Sequence, residues 1–264
     1  MTTLTDRFRD LHTSGTFVMP NPYDLGSARL LAALGFPALA STSSGFAATL
    51  GRRDMTVTRE ELLAHVEPLA AATDLPLNVD SERCYAEELQ GVTETVELLG
   101  DAGAAGCSIE DWNPAAKSID PVDVAVARVA AAAAGAASSG LVLTARCENH
   151  LHGVQDLDDT IARLRAYAEA GAEVVYAPGL ADTGQIAELV KAVGVPVNVL
   201  ILPGGPSVAA LADVGVRRIS TGGLLSRISQ GAMVTTAERL RDDGTVSRSE
   251  PFLSPDLIAQ ALRA

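Results

Sequence analysis

The stretch LPLNVDSERC, residues 75–84, begins as a buried strand and ends on acids. A side-chain period of two sets Asn78, Asp80 and Glu82 along one face, while Leu77 and Val79 point the other way. An apolar run that finishes in carboxylates is what a strand looks like where it opens into the mouth of a parallel barrel.

The pattern recurs. Short runs rich in Val, Ile and Leu lie at 16–21, 37–44, 75–80, 106–111, 141–146, 173–178, 196–202 and 217–223. Between and after them fall segments of helical period, at 26–34, 58–73, 86–102, 122–137, 157–170, 183–193, 207–214 and 225–243. This alternation predicts βα units on a parallel sheet, and eight of them close into an α/β TIM barrel, the (β/α)8 fold. A doubly wound open sheet would announce itself by G-x-G-x-x-G after the first strand. Here that strand runs into MPNPYDLGSARL instead. Additional N- and C-terminal helices, 5–13 and 255–263, fall outside the repeat, and residues 1–264 read as one domain. Thr58 followed by Glu61 has capping-box spacing, and Gly35, Gly103, Gly171 and Gly215 stand where helices should stop.

The 264 residues carry a net charge of -13, which repels phosphate backbones and anionic lipid. No nucleic acid and no membrane is therefore expected as partner. The start, MTTLTDRFRDLH, has no signal-like apolar core, and no run approaches the roughly 18 apolar residues of a membrane span. A cytoplasmic location is expected. Cys84, Cys107 and Cys147 form no C-x-x-C pair, so reduced thiols are expected.

Polar residues gather at the strand ends: Asn21 and Asp24; Ser43, Ser44 and Gly45; Asp80 and Glu82; Glu110 and Asp111; Arg146 and Glu148. Several carboxylates in one barrel mouth repel one another, and a divalent cation removes the conflict. Oxygen-only ligands point to magnesium, with manganese as the alternative. Asp80 is the expected direct ligand, and Glu82, Glu110 and Asp54 would hold metal-bound waters. Arg146 would meet a carboxylate or phosphoryl oxygen of the substrate. In STSSGF, residues 41–46, a small-residue turn would let the amides of Ser44 and Gly45 approach an anion. Tyr23 and Trp112, at strand exits, are expected to line the pocket, with Ser43 and Asn198 as further substrate contacts. His150 and His152 read as a solvated turn, and His65 as structural.

Taken together, MPNPYDLGSARLLAALGFPALASTSSGFAATLGRRD, NVDSE, SIEDW and TARCE resemble, from about residue 17 to 244, the isocitrate lyase and phosphoenolpyruvate mutase superfamily. The resemblance implies a magnesium-dependent TIM-barrel enzyme acting on 2-oxo or enol carboxylates. It also implies a homodimer or homotetramer in which the segment from about 225 to 264 packs on, or swaps with, a neighbouring subunit. Residue by residue, Ser44 and Gly45 match the pair that holds the substrate carboxylate, and Asp54 the acid after the glycine turn. Asp80 matches the metal aspartate, Glu82 and Glu110 the supports of metal waters, and Arg146 the substrate arginine. Arg146, Glu110 and Asp54 are thus the expected catalytic set.

The chain departs from the pattern in two places. WNPAAKSID stands where lyases of the isocitrate type carry K-[KR]-C-G-H, and Asn113 and Lys117 echo the mutase loop only faintly. DSERCYAE replaces the glycines of D-x-[DE]-x-G-Y-G. The expected activity is a lyase that cleaves a carbon-carbon bond, by decarboxylation or retro-aldol reaction, through a metal-stabilised enolate. The alternatives are carbon-phosphorus chemistry of the mutase or phosphonopyruvate type, a phosphate site at ISTGGL (219–224), and a non-catalytic metal-binding barrel.

Overall fold

The computed structural model describes residues 2–247, 250 and 252–262. Eight parallel strands are ordered β1 (Phe17–Met19), β10 (Arg218–Ser220), β9 (Val197–Leu200), β8 (Val174–Tyr176), β7 (Val142–Arg146), β4 (Gly106–Glu110), β3 (Leu77–Asp80) and β2 (Leu39–Ala40). Each of the eight predicted runs supplies one strand, and together they form the expected TIM barrel. Seven of the joints are strand ladders. At the eighth, between β1 and β2, the Ala40 N–H donates to the Pro20 carbonyl at 3.1 Å and Asn21 Nδ2 to the Ser41 carbonyl at 2.7 Å.

The helical ring is α2 (Leu25–Ala33), α4 (Arg59–Ala71), α5 (Leu89–Asp101), α6 (Val122–Ser139), α7 (Leu157–Glu169), α8 (Thr183–Val193), α9 (Val208–Asp213) and α10 (Leu224–Asp243). Their starts are written locally. Asp24, Thr58, Asp156, Asp182 and Ser207 each accept a first-turn N–H, which leaves fewer helix-end donors unpaired. Their apolar faces pack on the outward side chains of the strands in one continuous core.

A second cluster lies inside the barrel. Helix α1 (Leu4–Leu11) closes its N-terminal end, inserting Phe8, fully buried, among Phe17, Met19, Ala40, Ala105, Val142 and Val174. Gly106 makes room for it: a Cβ there would lie 2.7 Å from the Phe8 ring. The barrel is thus plugged below and open only at the carboxyl ends of its strands.

Three expectations are corrected, on the run 37–44, on Glu82 and on the apolar length of one helix, and two loops gain a definite shape. The run 37–44 is strand only at Leu39–Ala40, because Thr42 caps a short helix, α3 (Ser43–Thr49). Strand β3 ends at Asp80, and Glu82 takes a left-handed conformation (φ 48°), so it does not continue the strand's face. WNPAAKSID folds into a hairpin of β5 (Trp112–Asn113) and β6 (Ser118–Ile119). His150 and His152 belong to a turn of 3-10 helix, Asn149–His152. Finally, α6 is long and apolar enough to cross a membrane; here it packs between α5 and α7. Helix α11 (Pro255–Ala261) lies on α2 of the same chain, where Gln260 Nε2 donates to the Ala33 carbonyl at 3.3 Å. The predicted end of that helix, Arg263, lies outside the described residues, as do 248, 249, 251 and 264 of the predicted swapping segment.

Candidate active site

The strands finish around a cavity of about 530 Å3, within the range of small-metabolite sites. Asp80 closes β3 and Arg146 closes β7, and both line it. Arg146 binds three carboxylates at once: Nη1 to Asp80 Oδ1 at 2.9 Å, Nη2 to Glu110 Oε2 at 3.1 Å and Nε to Glu148 Oε1 at 2.8 Å. A planar guanidinium held on three edges has no freedom to turn. Burial opposes its charge, but Glu148, Glu110 and Asp80 outweigh burial and hold it well above its ordinary value.

The other oxygen of Asp80, Oδ2, accepts the Ser43 N–H at 3.0 Å, and the Asp80 N–H donates to Ser41 Oγ at 2.9 Å. The metal aspartate of the resemblance is therefore fastened to the first turn of α3. Ser43 and Ser44 line the cavity, with Asp54 beside them. Asp54 is raised by burial first and by the charge of Asp80 second, against a hydrogen bond from the Ser43 side chain. Gly45 lies beneath, outside the lining, and its N–H is directed at Thr42 Oγ1, 3.4 Å away. A Cβ on Gly45 would stand 2.5 Å from Thr42 Cγ2 and 2.9 Å from Tyr23 Cβ, so close packing requires the glycine.

Glu82 and Glu110 are buried and lie outside the cavity wall that Asp80 lines. Burial, then the charges of Asp80 and Asp54, push Glu82 up to about 8. Burial pushes Glu110 well above the carboxylate range despite Arg146. One oxygen of each, Glu82 Oε1 and Glu110 Oε1, is buried with no hydrogen-bond partner. The backbone that presents Glu82 is left-handed at Glu82, Cys84 and Tyr85, conformations that cost side-chain-bearing residues energy. Arg128 Nη2 clamps it by donating to the carbonyls of Arg83 (2.6 Å) and Ala86 (2.7 Å), and Arg83 Nε binds Asp120 Oδ2 at 2.8 Å.

Five acids, Asp54, Asp80, Glu82, Glu110 and Glu148, thus lie about Arg146, which binds three of them directly. The donor set fits magnesium: hard carboxylate oxygens, two of them buried without a partner. Among the described residues no three His, Cys, Asp or Glu side chains converge as a ready-made ligand set.

The remaining predicted residues fall in different places. Asn198 lies in the cavity floor, accepting from Arg218 Nε at 3.0 Å and donating to Ser220 Oγ at 2.9 Å. Tyr23 and Trp112 are not in the lining; Tyr23 Oη donates to Ser229 Oγ at 2.9 Å, and Trp112 stacks on His152 with centroids 3.5 Å apart. Asn21 is consumed by the fold, its Oδ1 accepting the N–H groups of Thr221 and Gly222, both at 2.8 Å. Thr221, Gly222 and Gly223 of the predicted phosphate turn do line the cavity. Thr144, which strand parity aims with Arg146, also lines it, as do Tyr176 and Arg218, which residue-level reasoning passed over. Strand parity was the available signal for Tyr176, since it ends β8 as Asp80 ends β3.

Comparison with known proteins agrees with this geometry. Residues 8–241 match the phosphoenolpyruvate phosphomutase family. The crystal structure of a provisionally assigned lyase/mutase from Burkholderia cenocepacia superposes with a TM-score of 0.93 at 45% identity, over 98% of this chain and 95% of that one. An oxaloacetate decarboxylase from Paraburkholderia xenovorans is 34% identical over 258 residues, 92% of this chain and 84% of the relative. A phosphonopyruvate hydrolase solved with oxalate and Mg2+ shares the fold, with a TM-score of 0.85 at 22% identity over 98% of this chain and 95% of that one. The chain belongs to the phosphoenolpyruvate phosphomutase family, within the isocitrate lyase and phosphoenolpyruvate mutase superfamily of lyases and mutases.

Proposed function

We propose that the chain is a magnesium-dependent lyase that cleaves a carbon-carbon bond beside a 2-oxo carboxylate, and that decarboxylation of a 3-carboxy 2-oxo acid is the reaction it fits best. The observation that carries this is the cluster of Asp80, Glu110 and Glu148 around Arg146 at the cavity, in a lining that includes neither cysteine nor histidine. Retro-aldol cleavage starts with removal of a hydroxyl proton, whereas decarboxylation needs no base to start it. The 34% identity to an oxaloacetate decarboxylase supports the same choice.

Asp80 would hold the ion directly, with Glu82 and Glu110 holding its waters. Magnesium bound there supplies a Lewis acid for the charge that develops on the 2-oxo oxygen. The chain's own groups do the rest. Ser43 and Ser44 receive the carboxylate that stays, and Arg146 balances negative charge as the bond breaks. Leu151, Leu200, Ile201 and Pro203 add apolar surface to the lining, beside which a carboxylate is poorly solvated and neutral carbon dioxide is not disfavoured.

The test is pyruvate release from oxaloacetate, substituted malates, methylisocitrate and phosphonopyruvate, each with magnesium. Oxaloacetate should be turned over, and Asp80→Ala should lower kcat/KM by at least about 1000-fold while also losing the thermal stabilisation that magnesium gives. Turnover of phosphonopyruvate alone would assign the site to carbon-phosphorus chemistry. A homo-oligomer belongs to the same proposal: α10 turns Ile228, Met233, Val234 and Leu240 to solvent, a face suited to burial against a second copy, and sedimentation should read a dimer or tetramer.

A further inference from the structure

Cleavage leaves an electron pair on carbon, and the product needs a proton there. WNPAAKSID holds no cysteine or histidine, and neither does the cavity lining, so the proton must come from another group. We propose that Tyr176 is the acid that protonates this carbon, and that a buried chain of Arg218, Asn198 and Ser220 sets its hydroxyl for the transfer. Tyr176 has this role only if the enolate chemistry proposed for the site is correct.

Tyr176 ends β8 and lines the cavity, 8% exposed, in register with Arg146 on one side and Asn198 on the other. Its ring packs under the Arg146 guanidinium, whose Cζ is 5.3 Å from the ring centroid. The reactive carboxylates and the phenol are therefore neighbours through one side chain.

The buried chain begins at Arg218, which is 1% exposed and has no carboxylate partner among the described residues. Its Nε donates to Asn198 Oδ1 at 3.0 Å, its Nη2 to Thr144 Oγ1 at 2.9 Å, and its Nη1 faces His12 Nε2 at 3.4 Å. His12 is neutral there, pulled down to about 3 by burial and then by Arg218, and its Nδ1 bonds the Phe8 carbonyl at 2.8 Å. An uncompensated guanidinium in a barrel interior is costly. Here it fixes a direction. With Oδ1 taken by the guanidinium, Asn198 must turn its amide NH2 outward, and Nδ2 donates to Ser220 Oγ at 2.9 Å. Ser220 Oγ, already accepting, keeps its own hydrogen to donate, and it lines the cavity with Tyr176, where the Ser220 hydroxyl favours the phenolate. Tyr176 itself lines the cavity, within reach of what binds there.

Burial, the largest influence, keeps the phenol protonated before each turnover, while Arg146 and Ser220 stabilise the phenolate that transfer produces. In the step itself the phenolic O–H bond breaks and a C–H bond forms at the carbon that lost carbon dioxide, its electron pair coming from the cleaved bond. Water then returns a proton to the phenolate, and the hydroxide combines with carbon dioxide as bicarbonate.

The experiment compares the full-length protein with Tyr176→Phe, Ser220→Ala and Ser220→Thr in D2O with magnesium. It reads protein-catalysed deuterium exchange into the methyl group of added pyruvate by NMR, kcat and KM for oxaloacetate, and thermal stabilisation by oxalate. Tyr176→Phe should lose exchange and kcat by about 100-fold or more, with KM and the oxalate shift kept. Ser220→Ala should lose roughly tenfold of both, as expected for one hydrogen bond to a charged group, and Ser220→Thr should restore them. Exchange by Tyr176→Phe within twofold of the unmodified protein would overturn the assignment, as would loss of the oxalate shift along with activity, which would make Tyr176 a wall of the pocket. Absence of both turnover and exchange in the unmodified protein would overturn the enolate chemistry and the role of Tyr176 with it.

Discussion

Glu82 shows how the site's charge shortage becomes measurable at the residue scale. Its folded value, about 8, lies above the ordinary 4.5. Between those values the native state keeps a proton that the unfolded chain has released, so stability conferred at low pH is lost as pH rises through this window. The melting temperature without magnesium should therefore fall from pH 5 to pH 8. Glu82→Gln should flatten the fall, and magnesium, which favours the ionised acid, should oppose it. Arg146→Ala should be worse than either, because Asp80, Glu110 and Glu148 lose their shared cation; about 3–5 kcal/mol is the usual cost of breaking such a buried pair. A thermal scan would check this, and Arg146→Lys should not restore stability, since an ammonium cannot satisfy three edges. Strand parity made Asp80 and Arg146 legible in the sequence. It could not place Glu82, because parity ends where the strand does, and the left-handed turn that follows is written in residues that seldom adopt it.

Helix α3 is the element on which the site depends and which the sequence concealed. STSSGF reads as a loop because its serines and threonine compete with the backbone for hydrogen bonds, and a seven-residue helix is too short to show a period. The structure turns that competition into a cap at Thr42 and spends the next amide on Asp80. Gly45→Ala should cost about 1–3 kcal/mol through overpacking and disturb Ser43 and Ser44, lowering activity. Gly231→Ala, in α10 with open space around the added methyl, should instead gain about 0.5–1 kcal/mol. The pair, measured by denaturant unfolding, separates packing from helix propensity. The hairpin β5–β6 was invisible for a related reason: two residues per strand carry no alternation.

At the scale of the whole molecule the barrel was legible, because eight apolar runs interleaved with eight helical patterns admit few closed arrangements. What the runs could not show is how the ends meet. Asn21 performs that closure with one side chain, bonding Ser41 on one side and Thr221 and Gly222 on the other. Asn21→Ala leaves buried donors and acceptors unpaired at about 1–3 kcal/mol each, and hydrogen exchange should speed first at the amides of Ala40, Thr221 and Gly222. The consequence reaches beyond stability. A cask parts at the stave joint with the fewest fastenings, and this one should open first between Pro20 and Ala40, two residues from the Thr42 cap. On gentle heating the protein should go silent as a catalyst while its circular dichroism is still that of an intact barrel.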